Sequence, residues 1–114
     1  MSFGRWGEEA ASKYLKAKGY RIIDRNFSCK LGELDIIALD GAELVFIEVK
    51  TRRNQSYGLP CEAVNAAKIR HLKRMAAYYT SVFPAAQQDV RLDVIEILMR
   101  DGRPYIRHIE NITG

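Results

Sequence analysis

A chain of 114 residues is one domain's worth, large enough to build a real core without disulfide or metal staples. Its 47% hydrophobic and 28% charged residues are the proportions of a soluble globular protein, and it holds no repeat, low-complexity tract or linker. Lys and Arg outnumber Asp and Glu by 18 to 14, and the resulting charge of +4 permits a nucleic-acid partner without demanding one.

The N-terminal MSFGRWGEEAA places acids where a signal peptide needs an apolar run, and no apolar stretch approaches membrane length, so no membrane partner is expected. Cys29 and Cys61 lie far apart with no C-x-x-C spacing; they suit a reduced, cytoplasmic chain, with a single disulfide as the alternative. From about Phe3 to Lys18 the pattern is helical, and Gly19 follows as the residue after the cap. Phe3, Gly7, Ala10, Ala11, Tyr14 and Leu15 form its core stripe, with Glu9 nearly opposite and solvated. Glu8 sits at the edge of the stripe. It is either a first-turn acid stabilised by the helix dipole or a carboxylate directed over the end of the sheet toward Asp35 and Glu48.

Tyr20 to Phe27 reads as a first strand. The next stretch, Gly32 to Arg53 (GELDIIALDGAELVFIEVKTRR), reads as two strands around an Asp40-Gly41 turn. Alternation puts Leu34, Ile36 and Ala38 on one face, with Glu33, Asp35, Ile37 and Leu39 on the other. In the second strand Val45, Ile47 and Val49 oppose Phe46, Glu48 and Lys50. Asp35, Glu48 and Lys50 are therefore ionisable groups inside otherwise apolar strands, which is costly unless they are paired, hydrogen-bonded or bound to a cation. A two-residue loop pairs Leu39 with Ala42 and sets Glu33 across from Glu48, with Asp35 diagonal to it. A four-residue loop pairs Leu39 with Leu44 and sets Asp35 directly opposite Glu48. In either register two carboxylates converge where Mg2+ would stabilise them, with Lys50 alongside, a constellation suited to metal-assisted phosphodiester hydrolysis.

Thr51 to Pro60 is a polar, basic loop. It is either simply solvated, or Arg52 and Arg53 hold a phosphate backbone while Tyr57 stacks on a base. A second helix runs from about Glu62 or Asn65 to Tyr79 and stops before Pro84, with Ile69, Leu72, Met75, Ala76 and Tyr79 as its buried stripe. Lys68 falls inside that stripe by angle. It either snorkels to solvent or reaches the carboxylates or a substrate phosphate. His71 reads as a surface residue. Val90 to Leu98 and Pro104 to Ile109 read as strands joined by a turn at Asp101-Gly102. Asp93 and Glu96 have opposite parity and read as ordinary strand acids, and His108, with no ligand-type partner at suitable spacing, reads as structural. The order α-β-β-β-α-β-β gives an α/β mixed sheet with a helix on each side or both on one face.

These residues carry a resemblance. Glu33-Leu34-Asp35 followed on the next strand by Glu48-Val49-Lys50 resembles the active-site signature of the PD-(D/E)XK nuclease superfamily, although Leu34 stands where the superfamily's Pro precedes the Asp. Gly7-Glu8 with Ala11, Gly19-Tyr20, Gly32 to Asp35, Val45 to Arg52, Lys68, and Arg91 to Val94 together resemble the small, uncharacterised YraN-like bacterial proteins over nearly the whole chain. That group is in turn similar to archaeal Holliday-junction resolvases, in the spacing of Glu8 from Gly19-Tyr20 and of Asp35 from Glu48. The resemblance implies a restriction-endonuclease-like mixed sheet flanked by helices and an endonuclease using Mg2+ or Mn2+ on nucleic acid, DNA first, including branched DNA. Asp35, Glu48, the Val49 carbonyl and Glu8 would hold the metal. Lys50 would assist hydrolysis, Glu33 would stand behind the metal or beside the substrate, and Arg52, Arg53 and Lys68 would engage the backbone. Because junction resolvases are two-fold dimers, a homodimer is a further expectation. The competing expectation is a module of the same fold that binds nucleic acid without cutting it.

Overall fold

The fold is built on one five-stranded sheet whose strand order follows the sequence, β1-β2-β3-β4-β5. A computed structural model describes residues 2–53, 60–83 and 89–113. Helix α1 (Phe3–Ala17) starts where the Ser2 hydroxyl accepts from the Arg5 N–H at 3.2 Å. It ends in a Schellman motif. Gly19, at φ +95°, donates to Lys16 O at 3.0 Å, and Tyr20 donates to Leu15 O at 2.9 Å, while the Tyr20 and Leu15 side chains share one core. Strands β1 (Arg21–Cys29), β2 (Gly32–Asp40) and β3 (Glu43–Arg53) form an antiparallel meander. A single helical turn, α2 (Pro60–Ala63), precedes α3 (Ala66–Val82), which Asn65 caps by accepting from the Lys68 N–H at 2.9 Å. The crossover makes β4 (Val90–Arg100) parallel to β3, and a tight turn with Asp101 and Gly102 both at positive φ returns β5 (Arg103–Ile109) antiparallel.

The element order is the one expected from the sequence, and the helices lie one on each face. Ala11 and Leu15 of α1 bury against Ile36, Ala38, Val45, Ile47, Ile95 and Ile97. On the other face Leu72, Met75, Ala76 and Tyr79 of α3 bury against Leu34, Ile37, Leu44, Phe46, Leu92 and Val94. The predicted α3 stripe is present, but the helix continues three residues past Tyr79. Among the described residues no helix is long and apolar enough to cross a membrane.

The β2–β3 register pairs Leu39 with Leu44 and closes one step further with Asp40 opposite Glu43. Strict alternation in β2, however, fails. Leu34 packs on the α3 side, whereas Ile36 and Ala38, of the same parity, pack on the α1 side. The pleat turns over at Asp35. Asn26 and Asp35 are the residues left between the pairs Arg25↔Ile36 and Phe27↔Leu34, and Asn26 holds φ +56°. One left-handed residue in β1 shifts the phase of both strands there, a conformation Asn tolerates better than most residues.

Candidate active site

The β2–β3 ladder stops at the pair Ile36↔Ile47. Extending the register by one position would set Asp35 opposite Glu48, but there the strands part. The Val49 N–H donates to Asp35 Oδ2 at 2.7 Å, so a side chain takes over the link where the main chains have separated. Val45, Ile47 and Val49 face α1 while Phe46 and Glu48 face α3, as alternation in β3 predicts, and Lys50 lies exposed on the Glu48 side.

Each element around this split delivers one charged group. Lys68, from the first turn of α3, places Nζ 3.2 Å from Glu48 Oε1, so its angle within the stripe marks a lysine aimed at the carboxylates. The second oxygen, Glu48 Oε2, is buried without a hydrogen-bond partner among the described residues. Glu8 comes from α1, which lies hard against β3 at Gly7: a Cβ there would sit 2.0 Å from Thr51 Oγ1. The Asn26 amide lies against the Glu8 carboxylate, and exchanging its oxygen and nitrogen would let it donate to both Glu8 oxygens. Burial, and then the Glu48 and Glu8 carboxylates, push the Asp35 carboxyl up to about 6, against the pull of the Val49 N–H and Lys68.

These carboxylates are neighbours without being closed into a tight cage. Among the described residues, the group of acids and histidines with ligand atoms all within 4.8 Å of one another is Asp93, His108 and Glu110, where Asp93 stands beside Ile47 in the β3–β4 pairing. Lys68 draws Glu48 toward α3, while Glu8 lies against the Asn26 amide. The donors nonetheless suit a hard divalent cation: carboxylate and main-chain oxygens only, with one buried oxygen unpartnered.

The remaining expected residues scatter around the split. Glu33 is exposed, and its carbonyl lies 2.8 Å from His71 Nε2, so His71 ties β2 to α3 rather than facing only solvent. Arg52 donates through Nε to Glu96 Oε2 at 3.2 Å, and the Arg53 guanidinium lies 4.2 Å from the centroid of the Phe3 ring. Tyr57 and the Cys61 side chain lie outside the described residues, and Cys29 is a free thiol. Glu9 is not simply solvated but pairs with Arg25 at 2.8 Å.

Two strand acids prove not to be ordinary. Glu96 is fully buried between Arg52 and Arg107. Asp93 is fully buried as well, accepting from Arg91 at 3.0 and 3.1 Å and from the Asn111 N–H at 3.0 Å, with His108 Nε2 2.7 Å away. Burial pushes the Asp93 carboxyl up, but the bonds from His108, Arg91 and Asn111 outweigh it and hold it below the ordinary carboxylate range. His108 has in Asp93 a ligand-type partner that its sequence spacing concealed. The Asp93–His108–Glu110 group is a poor metal site because the Arg91 cation already occupies its acid, joined also to Asp40 and Glu43.

A mixed five-stranded sheet, covered by a helix on each face and split beside Asp35 so that Glu8, Glu48 and Lys68 gather there, defines the class: an α/β protein with a cluster of carboxylates beside a lysine. The chain belongs to the uncharacterised protein family UPF0102, the YraN-like family, whose model matches residues 7–97. It is 45% identical over 108 residues to a UPF0102 protein of Syntrophomonas wolfei, covering 95% of this chain and 94% of the relative. It is 49% identical over 110 residues to one of Alkaliphilus metalliredigens, covering 96% of each. A third, from Caldicellulosiruptor saccharolyticus, is 51% identical over 96 residues, or 84% and 81% of the two chains.

Proposed function

We propose that the chain is a metal-dependent phosphodiesterase acting as an endonuclease on DNA, including branched DNA. The observation that carries this reading is the buried, unpartnered Glu48 Oε2 beside an Asp35 whose carboxyl is raised by burial first and by the Glu48 and Glu8 carboxylates second, because a divalent cation would relieve that combination. Asp35, Glu48, the Val49 carbonyl and Glu8 would hold Mg2+ or Mn2+. Bound there, the cation supplies a water of lowered pKa and offsets charge building on the phosphate. Lys50, exposed beside Glu48, orients the attacking water or steadies the negative phosphoryl oxygens. Lys68 loosens from Glu48 to meet the backbone phosphate. Arg52 and Arg53 extend a basic end of the sheet, where Arg53 runs beside Met99 and Arg100 lies opposite Arg103.

The 3.2 Å Lys68–Glu48 pair favours a second reading, since an internal ammonium can neutralise the acids without metal and leave a module that only binds. Labelled linear duplex, single strand, flap and four-way junction, incubated with Mg2+ or Mn2+, separate the two. Cleavage by wild type that is lost in Lys50→Ala and Asp35→Asn, with affinity and melting temperature retained in Lys50→Ala, is the expected result. Binding without a cut under either metal would transfer the case to the module.

A further inference from the structure

The first two turns of α1 carry aromatic rings that neither face core takes in as a buried member. Phe3 and Trp6, both part-exposed, stack with ring centroids 6.1 Å apart and planes within 6°. Arg53, exposed at the end of β3, lays its guanidinium over the Phe3 ring at 4.2 Å and has no acid within ion-pair distance among the described residues. A guanidinium held over an aromatic ring can still offer N–H groups to a phosphate. Trp6 also walls a cavity of about 530 Å3 between α1 and β5, whose apolar sides include Ala10, Tyr14, Pro104 and Ile106.

The position of this group matters as much as its chemistry. Phe3 precedes Glu8 by five residues, about 7.5 Å of helix axis, and the Gly7–Thr51 approach locks that part of α1 against β3. Arg53 lies five residues beyond Glu48 on β3, roughly 16 Å along the strand. The rings lie on the α1 side of the sheet and Glu48 on the α3 side, so a strand with a phosphate at the carboxylates reaches them by passing round the end of β3, a path of a few nucleotides. In a duplex the bases are stacked and paired inward, out of reach of Phe3 and Trp6; in a single strand their faces are open.

We propose that Phe3 and Trp6, clamped by Arg53, are a stacking platform for an unpaired nucleobase, so that the strand leading to or from the carboxylates is single-stranded where it passes α1. This rests on the nucleic-acid reading above and narrows its substrate to molecules with an unpaired arm, such as a flap or a frayed junction. Every nucleobase has a π face, so the platform selects strandedness rather than sequence.

Trp6 is the chain's single tryptophan, so its emission reports the event directly. The full-length protein is titrated in EDTA at low salt with an oligothymidine and, separately, with a blunt duplex of equal length, following Trp emission together with anisotropy of the labelled DNA. Stacking predicts saturable quenching by the single strand that salt reverses, and no quenching by the duplex even where anisotropy shows it bound. Phe3→Ala lowers single-strand affinity about tenfold and leaves duplex affinity unchanged, and Phe3→Leu, which keeps apolar bulk for the helix start, does the same. Asp35→Asn retains full quenching. Single-strand binding without a change in emission, or with Phe3→Leu at wild-type affinity, overturns the platform while leaving the proposed phosphodiesterase standing. Absence of binding to either DNA overturns both.

Discussion

Asp35→Asn should stabilise the metal-free protein and abolish its response to metal. In the fold, burial and two nearby acids raise this carboxyl from 3.8 to about 6. At about 1.36 kcal/mol per pK unit this is roughly 3 kcal/mol against the ionised form, and partial exposure reduces the expected gain to about 1–2 kcal/mol. An amide oxygen at the same position can still accept the 2.7 Å bond from Val49. The folded carboxyl holds its proton up to about pH 6 and the unfolded one only to about pH 4. Wild-type stability from this group therefore falls as pH rises through that window, and the penalty is complete above it. The variant in EDTA should melt about 4–8 °C above wild type near pH 7.5, and the difference should vanish toward pH 4. Saturating Mg2+ should reverse the order, adding about 2.7 kcal/mol to wild type at a hundredfold excess over Kd and nothing to the variant. Thermal melts across pH with EDTA and Mg2+ arms read all four values. A variant less stable than wild type in EDTA at neutral pH, or a difference that does not change between pH 4 and 7, would refute the idea that burial and the neighbouring acids disfavour the ionised Asp35.

Gly7→Ala puts a methyl where Thr51 Oγ1 lies 2.0 Å from the added atom and Thr51 Cβ and Cγ2 at 3.1 Å, so Thr51 must turn and α1 shift from β3. A loss of about 1–3 kcal/mol in urea unfolding is expected, with a weaker Mg2+ response because Glu8 moves with the helix. Glu96→Gln removes the buried carboxylate that Arg52 and Arg107 both meet, and about 1–3 kcal/mol should be lost in denaturant titration. Asp93→Asn should lower stability by a similar amount at neutral pH. Because the wild-type carboxyl is held low, its contribution is present above about pH 4 and disappears on further acidification, so the acid limb of the wild-type stability profile should flatten in the variant.

Local pattern carried much of this architecture. The spacing of Leu72, Met75, Ala76 and Tyr79 marked α3 and placed Lys68 among them, and the parity of Glu48 and Lys50 put them together on β3. The Asp40-Gly41 turn admits two registers, and the observed pairing of Leu39 with Leu44 is one of them. The phase change at Asp35 escaped because it depends on one left-handed residue in a different strand, Asn26, and alternation rules see one strand at a time. That Asn sits beside Asp35 and Glu8 was therefore also hidden, though an Asn within a strand pattern is a signal for such a kink. The burial of Asp93 and Glu96 was missed for a related reason. Their cations stand on β3, β4 and β5, and only the assembled sheet brings Arg52, Arg91, Arg107 and His108 within reach.

The outer strands have a consequence for how copies of the chain behave together. β5 opens with Arg103 and Pro104, whose ring nitrogen has no proton to offer, and carries Arg107 and His108 along its length. β1 slips register between Ile22 and Asp24 and bends again at Asn26. Neither margin presents a long, flat row of main-chain donors and acceptors, so both resist extension by a neighbour's strand. Concentrated protein should stay dispersed rather than polymerise into ribbons, and a two-fold pair, if it forms, would be joined through helix and loop side chains.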